Sequence, residues 1–485
     1  MSSANQYDVA IIGAGLSGLA AGIRLAHFGR RVVILERHYA PGGLNSFYSI
    51  DGRKYDVGLH AMTNFVPAAV KGTALGKLLR QLRIEREAFD LCPQRQSHAA
   101  FGPHGEHVLR FTNDPAVLEA EVAAKFPREI DGYRRLAAEL QVLGLATADA
   151  PSGSARAFVR AHVADPLLED LLFCPLMYYG GAQEHDMDVA QFAIMFRAIY
   201  LEGLARPFEG IRRVLRVLQD KYKVAGGERR MKCGVARLLV REGRVAALVL
   251  DRGEEITARH VLSSAGVVET ERLLDEPAAS AAATPDRAAT AGRLSFVETV
   301  RVLDVAPAAL GWGDDAIIFF NDSERFEYAH PEALVDRRSG VICCPNNFDF
   351  GGRELPEGQV RITCLANYDR WTTLPEDAYR AEKQHWLEEM TRSAARFLPA
   401  VAPDALAAAT VATDMFTPRT ITRYTGHLGG AVYGSPQKIR DGRTHLANLY
   451  LCGTDQGLLG IVGAMLSGIT MANRHILQPE VRQVR

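Results

Sequence analysis

The feature that most constrains this chain is a glycine-rich turn between a short apolar run and an apolar helical pattern near the N-terminus. Residues 8–12 read DVAII, the glycine turn covers residues 13–18, and apolar residues recur at helical spacing over 19–28. A second apolar run covers residues 31–35 and is followed directly by Glu36. Strand, turn, helix, strand and acid in this order predict a βαβ unit that binds a dinucleotide.

Each residue type in this unit has a physical role. Gly13 allows the tight turn, Gly15 lets backbone amides approach a pyrophosphate, and Gly18 lets the helix pack closely on the strand. The helix N-terminus then stabilises the negative charge. Glu36 can accept hydrogen bonds from an adenosine ribose, which favours a dinucleotide without a 2′-phosphate. The cofactor-binding residues predicted here are Gly13, Ala14, Gly15, Leu16, Ser17, Gly18, Glu36 and Arg37.

Composition excludes several classes of function. The 485 residues are 47% hydrophobic and 23% charged with a formal net charge of -1, which indicates a soluble globular protein with no bulk attraction for nucleic acid. The seven cysteines lack CxxC or zinc spacing, so we predict no metal site and a reducing, cytoplasmic compartment. The N-terminus does not resemble a signal peptide, and the longest apolar candidate, 458–472, is interrupted by three glycines, so no membrane-spanning helix is expected.

The rest of the chain alternates between helical and strand patterns. Residues 67–206 are mostly helical, which predicts an inserted cap. The elements predicted after the βαβ unit are helices at 116–126, 188–204 and 211–222, strands at 235–240, 245–250, 296–303, 316–320, 360–365 and 449–452, and a helix at about 462–477. The alanine-rich stretch 278–291 is predicted to be a helix or a linker.

Four stretches of the sequence resemble one family of flavoproteins. They are IIGAGLSGLAAGIRLAHFGRRVVILERHYAPGG at 11–43, VAGGERRMKCGVARLLV at 224–240, TPRTITRYTGHLGGAVYGSP at 417–436, and LYLCGTDQGLLGIVGAMLSGITMA at 449–472. Over nearly its whole length the chain resembles the phytoene desaturases, carotenoid isomerases and retinol saturases, within the broader amine-oxidase-like fold. The first stretch is shared by many flavoproteins, whereas the third and fourth together are narrower.

The resemblance implies FAD as cofactor and an α/β fold with a Rossmann-type FAD-binding domain, an interleaved α+β substrate domain and a helical cap. The FAD-binding domain is expected to be discontinuous, comprising 1–66, 207–275 and 420–485. The substrate-binding and cap domain would then comprise 67–206 and 276–419.

The resemblance also assigns further cofactor contacts. The PGG loop with Gly42 and Gly43 approaches the cofactor, Val235 meets its adenine side, and the last loop and helix meet the flavin. Many relatives place an arginine after the paired glycines, but Leu44 stands here, so a cationic pyrophosphate contact is in doubt. The small residues of the last segment allow close backbone approach to a flat ring, and the helix N-terminus there would stabilise an anionic reduced flavin. The flavin-side residues are Gly453, Thr454, Asp455, Gly460, Ile461 and Val462.

The resemblance predicts a long apolar isoprenoid as substrate: a carotenoid, phytoene, squalene or a retinoid-like molecule. Desaturation, with hydride transfer to the flavin and loss of a neighbouring proton, is the favoured reaction; isomerisation, saturation and dehydroxylation remain open. His60 is the candidate proton acceptor, or else a structural histidine. The candidate substrate contacts are Tyr178, Tyr179, Phe416 and Tyr424. A group of apolar residues either lines a tunnel or belongs to the core: Met177, Met187, Met195, Phe192 and Phe196.

Two other classes of function remain open. A flavin amine oxidase on the same fold would need an aromatic cage, and a non-enzymatic prenyl-binding escort would not need the intact glycine fingerprint. An apolar substrate also suggests peripheral contact with the inner face of a membrane through the helix near 167–176, which could equally be buried in the cap. The sequence does not fix the oligomeric state.

Overall fold

The computed structural model describes residues 5–144, 151–275 and 291–478, so the predicted helix or linker at 278–291 lies, apart from its last residue, outside the described residues. The described strands are β1 Gln6–Ile12, β2 Val32–Glu36, β3 Phe47–Ile50, β4 Arg53–Asp56, β5 Leu91–Pro93, β6 Ser97–Phe101, β7 His107–Phe111, β8 Ala205–Pro207, β9 Glu228–Met231, β10 Val235–Arg241, β11 Arg244–Leu250, β12 Glu255–Ser263, β13 Ser295–Leu303, β14 Ile317–Asn321, β15 Val335–Cys343, β16 Gly358–Ala366, β17 Thr410–Phe416 and β18 Leu449–Leu451.

Helices cover both sheets and form the cap. The described α-helices are α1 Leu16–Ala26, α2 Ala74–Leu82, α3 Pro115–Lys125, α4 Ile130–Val142, α5 Ala155–Arg160, α6 Pro166–Gly180, α7 Val189–Phe196, α8 Ile211–Val224, α9 Val267–Glu271, α10 Tyr368–Thr373, α11 Glu376–Ala394, α12 Pro403–Ala409, α13 Pro418–Thr425 and α14 Gly460–Met471.

The first sheet has the strand order of a dinucleotide-binding domain. Strands β9, β2, β1, β12 and β18 lie side by side and parallel, while β10 and β11 extend β12 as an antiparallel ribbon. The central strands are buried along most of their length, which explains their continuous apolar sequences. The strand order reverses beside β1, and ligands of such sheets bind at that point, at the carboxyl ends of the strands.

The second sheet belongs to the other lobe. Its seven strands run in the order β17, β13, β16, β15, β14, β6, β7, and all neighbours are antiparallel except the parallel pair β14 and β6. The cap helices α3 to α7 pack together with one side of this sheet around a large apolar core. The predicted fold class, an α/β Rossmann-type domain with an interleaved α+β lobe, is confirmed.

Some predicted elements differ in detail. The helix predicted at 188–204 ends at Phe196 and continues only as a π-helical turn over Arg197–Leu201. The cap region also contains strands β6 and β7, which the sequence prediction missed. All five residues of β6 are buried, so that strand lacks the alternation that marks a half-exposed strand. The last helix begins at Gly460, two residues before its predicted start.

The first and last helices, α1 and α14, are in close contact. A Cβ placed on Gly468 would overlap the carbonyl oxygen of Ser17 and crowd the amide of Ala21. Only glycine lets the two backbones approach to this distance. This contact fixes α14 against the nucleotide-binding unit and therefore brings the two ends of the chain together.

We expect Gly468→Ala to lower the stability of the protein by about 1–3 kcal/mol, because the added methyl group must push the two helices apart. The variant should unfold at a lower temperature and retain less flavin after purification. The control is Gly144→Ala, since an added Cβ there meets no atom within 4 Å. Equal melting temperatures and flavin contents for the two variants would contradict this interpretation of the contact.

Candidate functional site

A cavity of about 1080 Å³ opens at the carboxyl ends of β1 and β12. It runs between the two lobes, with β1, β2 and their loops on one side and β17 and α13 on the other. The residues of the glycine fingerprint that line it are Gly13 and Gly15, and the other predicted cofactor contacts that line it are Glu36, Arg37, Gly43 and Val235. The predicted nucleotide-binding residues are therefore brought to one cleft.

The acid at the end of β2 is held in place by backbone amides. Glu36 is buried, and its carboxylate accepts hydrogen bonds from the amides of Ala14 at 2.7 Å and His38 at 2.8 Å. Each carboxylate oxygen has a second lone pair, so these bonds leave acceptor capacity for a ribose hydroxyl in the cavity. This geometry fits the role that the sequence predicts for Glu36.

The start of α1 fits a pyrophosphate. Its N-cap residue, Gly15, makes no side-chain capping bond, so the first amides of the helix face the cleft without a side-chain acceptor. Gly42 forms a bridge with Gly15, which places the paired-glycine loop against the same turn. Leu16, Ser17, Ala14 and Gly18 are buried in or before the first turn, where they shape the backbone rather than offer side chains.

A second cavity, of about 170 Å³, adjoins the first, and Val57 and Phe416 line both. The predicted site residues that line the second cavity are Leu44, His60, Tyr178, Tyr179, Phe416, Thr454, Gly460 and Ile461. It also contains residues that the sequence analysis missed, among them Phe296, Glu298, Thr363 and Tyr433. The N-terminus of α14 thus faces a small cavity whose lining includes five tyrosine and phenylalanine side chains among aliphatic, small and polar residues.

Other predicted site residues lie elsewhere. Tyr424 is 41% exposed and lines the large cavity, with its ring 5.2 Å from that of His38, so it stands at the nucleotide cleft and not among the residues of the small cavity. Asp455 is buried, and its carboxylate accepts bonds from the amides of Val267 and Ser435, both at 2.7 Å. Val462 is fully buried in the core.

Gly453 supports the loop before α14. It has a positive φ of 94°, and its amide donates to Ser467 Oγ at 2.8 Å. This bond ties the loop to α14, while the unusual φ turns the chain away from β18. We therefore describe Gly453 and Asp455 as residues that hold the loop, with Thr454 between them exposed to the small cavity.

The sequence left open an apolar tunnel and a membrane-contacting helix in the cap, and the structure shows neither at the residues considered. The methionines and phenylalanines considered for a tunnel are buried in the cap core and are absent from the lining of the small cavity. Helix α6 is buried along most of its length, so the membrane contact predicted at 167–176 is wrong for that segment, and its other interpretation, a buried cap helix, holds. None of the described helices is both long and apolar enough to cross a bilayer.

A buried hydrogen-bonded array lies at one wall of the small cavity. His60 Nε2 is 2.7 Å from Glu298 Oε2 and 3.0 Å from Thr363 Oγ1. The Thr363 hydroxyl donates to the same carboxylate oxygen at 3.0 Å. Arg361 binds the other oxygen, Glu298 Oε1, through two of its nitrogens. The array joins a loop of the nucleotide-binding lobe to the second sheet.

The electrostatics of this array favour a neutral histidine. Burial lowers the pKa of His60, although its hydrogen bond to Glu298 acts in the opposite direction. Burial alone would raise the pKa of Glu298, but the Arg361 charge and the His60 hydrogen bond outweigh it and lower the pKa to about 2. At neutral pH the array therefore contains an ionised carboxylate, a guanidinium and an uncharged imidazole.

Sequence reasoning found His60 but not its partners. A signal was present: Glu298 lies inside the apolar run SFVETVRVL, and Arg361 and Thr363 lie two residues apart in the apolar run of β16. Charged residues inside a buried strand need a partner, so such positions are candidates for a functional array. Among the described residues, no cluster of His, Cys, Asp or Glu side chains could hold a metal ion.

The fold and the cleft together are those of a nucleotide-binding oxidoreductase with a small cavity beside the cleft. The family model of flavin containing amine oxidoreductases matches residues 16–476, and the chain belongs to this family. Membership implies a flavin cofactor, and the glycine turn, Glu36 and the uncapped helix N-terminus fit one.

The chain is similar to several curated enzymes. It is 22% identical to prolycopene isomerase 2 of an Oncidium hybrid cultivar, across 98% of this chain and 84% of the relative. It is 22% identical to all-trans-retinol 13,14-reductase of Danio rerio, across 96% and 85%. It is 26% identical to the lycopene-forming phytoene desaturase of Pseudescherichia vulneris, across 54% and 56%. The relatives thus include an isomerase, a reductase and a desaturase.

Solved structures support the fold. An oxidoreductase from Methanosarcina mazei superposes with a TM-score of 0.64 at 16% identity, covering 96% of this chain and all of the other. At this level of identity the similarity shows a common architecture and does not assign a substrate.

We expect Glu298→Gln to change how stability depends on pH. A carboxyl whose pKa falls from 4.5 to about 2 on folding stabilises the protein above pH 4.5, and this contribution is lost as the pH falls towards 2. The advantage of the wild type over the variant in free energy of unfolding should therefore shrink by about 2 kcal/mol between pH 5 and pH 3. Urea unfolding at several pH values measures it.

The control for this series is Glu357→Gln. Glu357 pairs with Arg53 at 2.8 Å and also joins the two lobes, but both side chains are about one third exposed. Solvent screens such a pair, so this variant should follow the wild type at every pH. A constant difference between the wild type and Glu298→Gln from pH 5 to pH 3 would rule out the ionised, stabilised carboxylate.

Proposed function

We propose that this protein is an FAD-dependent oxidoreductase that desaturates a long apolar isoprenoid. The observation that carries the proposal is the small cavity: its wall combines aromatic side chains with one neutral histidine, directly beside the helix N-terminus of the flavin-side segment. Its relatives act, by their names, on prolycopene, phytoene or retinol, which supports an isoprenoid substrate.

FAD is proposed, rather than FMN, because the large cavity continues past the glycine turn to the residues that would meet an adenosine. Glu36 stands at that end with acceptor capacity to spare, and Arg37 and Val235 line the same region. FMN would leave this half of the cleft empty and would not use Glu36.

We expect the apoprotein to bind FAD at least tenfold more tightly than FMN, measured by flavin fluorescence titration. Glu36→Ala should reduce the preference, because it removes the ribose acceptor and also leaves two amides unpaired, at a cost of about 1–3 kcal/mol. Glu357→Ala is the matched control, since it also removes a glutamate that pairs within the protein but lies outside the cleft. Equal affinity for FAD and FMN would exclude the proposed adenosine site.

When bound, FAD would supply the hydride acceptor for the reaction. The chain's own residues then have three tasks: the aromatic walls exclude water, the cavity orients one segment of the substrate, and His60 accepts a proton. A cavity of about 170 Å³ is smaller than the roughly 300–1000 Å³ of pockets that enclose a drug-sized ligand, so it would receive only a segment of a long isoprenoid.

The proton acceptor must be a neutral base that reaches the cavity. His60 lines the cavity and burial keeps its pKa low, so the imidazole is unprotonated at neutral pH. Tyr179 also lines the cavity, but burial raises the pKa of its hydroxyl well above its ordinary value, which makes it a poor base. Glu298 is ionised but engaged by Arg361, Thr363 and His60.

Anaerobic mixing of the holoprotein with a panel of phytoene, squalene and retinoid substrates in liposomes should bleach the flavin absorbance for at least one of them. Product analysis should then show new double bonds. His60→Gln should slow this half-reaction by about 10²- to 10⁴-fold, the usual contribution of a general base, while flavin content is unchanged.

Other outcomes assign other functions. A product isomer formed with the flavin prereduced, without net redox change, would identify an isomerase. Loss of a double bond from the substrate, when it is mixed with the prereduced enzyme, would identify a reductase. The aromatic lining of the small cavity also suits an amine oxidase, because aromatic faces attract cations. Flavin reduction by amines with release of hydrogen peroxide, and no reaction with any isoprenoid, would establish that alternative and refute the isoprenoid assignment.

A further inference from the structure

The buried array beside the small cavity does more than fill space between the lobes. We propose that Glu298, held by Arg361 and Thr363, is a positioning residue that fixes the tautomer of His60, so that its proton stays on Nε2 and the lone pair of Nδ1 is available to the cavity. This inference rests on the proposed role of His60 as a proton acceptor and adds the residues that make it competent.

The register of the second sheet assembles the carboxylate site. Glu298 on β13 pairs directly with Thr363 on β16, and Val300 pairs with Arg361. Because side chains alternate along a strand, Glu298, Thr363 and Arg361 all project from the same face of the sheet. Direct and diagonal neighbours on one face are within reach of each other. The array is thus built into two hydrogen-bonded strands and does not depend on a flexible loop.

The hydrogen bonds around Glu298 dictate which nitrogen of His60 carries the proton. An ionised carboxylate can only accept hydrogen bonds, and Arg361 and the Thr363 hydroxyl already donate to it. The 2.7 Å contact from His60 Nε2 to Glu298 Oε2 therefore requires a proton on Nε2. In a neutral imidazole this leaves Nδ1 as the acceptor, and both hydrogen bonds of the His60 ring within the described residues involve Nε2.

The backbone of the His60 loop is held by Arg361 and by a second buried arginine, Arg206. Arg361 donates to the carbonyl oxygen of Leu59 at 2.6 Å. Arg206, at the end of the cap segment, donates to the carbonyls of Leu59 at 2.7 Å and His60 at 3.0 Å, and it also pairs with Asp56 at 2.7 Å. The His60 residue is therefore held both at its backbone and, through Nε2, at its ring.

The charged and titratable groups that face His60 come from each neighbouring element. They are Glu298 and Arg361 from the second sheet, Asp56 and Arg206 beside the loop, the Tyr179 hydroxyl from α6 and the Cys343 thiol from β15. Burial raises the pKa of both Tyr179 and Cys343, so these two stay uncharged at neutral pH. Two cations and two anions remain, and Glu298 is the anion in contact with the ring.

This arrangement also explains how His60 is stabilised once it has accepted the proton. When the lone pair of Nδ1 accepts a proton from a substrate carbon, the C–H electron pair stays with the substrate and the imidazole becomes a cation. The Glu298 carboxylate, already bonded to Nε2, stabilises that cation without having to move. The proton remains on His60 until it is released to water after product departure.

The direct test is the tautomer itself, which needs no substrate. Oxidised holoprotein labelled with [¹⁵N]histidine is studied by NMR, and His60 is assigned by the signal lost in His60→Gln. We expect wild-type His60 to show a protonated Nε2 and an unprotonated Nδ1 at pH 7. In Glu298→Gln the amide N–H can donate to Nε2, so the proton should move to Nδ1. An unchanged tautomer in this variant, or a wild-type proton on Nδ1, would overturn the proposal.

Kinetics test the consequence. Glu298→Gln should slow flavin reduction by the isoprenoid by about 10²-fold or more, while Glu357→Gln keeps the wild-type rate. Normal reduction by Glu298→Gln, at the wild-type rate and with the wild-type pH profile, would refute the positioning role. If no isoprenoid reduces even the wild-type flavin, the proposed substrate class fails, whereas the NMR result decides the positioning role independently.

A second variant covers the case in which Glu298→Gln does not fold because Arg361 loses its partner. Thr363→Val keeps the charge pair and removes one donor to Glu298 Oε2 together with the contact from Thr363 Oγ1 to His60 Nε2. Without this donor the negative charge on Glu298 Oε2 is less compensated and stabilises the imidazolium more strongly. The NMR titration midpoint of His60 should therefore rise while the proton stays on Nε2. A midpoint that stays constant or falls would contradict the coupling between Glu298 and His60.

Discussion

The close contact between the first and last helices is the constraint on which the site depends. Gly468 lets α14 lie against the backbone of α1 at Ser17, and nothing larger than glycine fits there. Because α1 begins at the nucleotide cleft and α14 begins at the small cavity, this one contact sets the distance between the two ends of the site. Each helix N-terminus then contributes a partial positive charge to a different one of the two cavities.

At the wall of the small cavity formed by His60 and Glu298, the two lobes are joined by buried ion pairs and hydrogen bonds instead of by close backbone packing. Arg206 and Arg361 are almost completely buried, and each binds a loop carbonyl as well as a carboxylate. Burying charge is costly unless every group is paired, and a buried ion pair can contribute little net stability. We infer that this array is kept for the geometry it imposes on His60, because apolar residues of similar size could join the lobes at lower electrostatic cost.

The sequence predicted those parts of the fold that local patterns encode. The βαβ unit, the glycine turn and the last helix follow from apolar periodicity and from glycine positions, and the structure has them within a few residues. Strand β6 was missed because all five of its residues are buried, so it has no alternation to reveal it, and although it pairs with the adjacent β7, its other neighbour, β14, is distant in sequence. The partners of His60 were missed for a related reason: Glu298 and Thr363 become neighbours only through the register of β13 and β16.

The two cavities explain why Leu44 can stand where many relatives have an arginine. Leu44 lines the small cavity, while the neighbouring Gly43 lines the large one. The chain therefore passes from the large cavity to the small cavity between these two residues, and a side chain at position 44 lines the small cavity. A cation there would be desolvated in the cavity that His60 also lines, and it would lower the basicity of His60 further. An apolar residue instead leaves Glu298 as the charge in direct contact with His60, and the amides at the start of α1 are then the groups that would bind a phosphate.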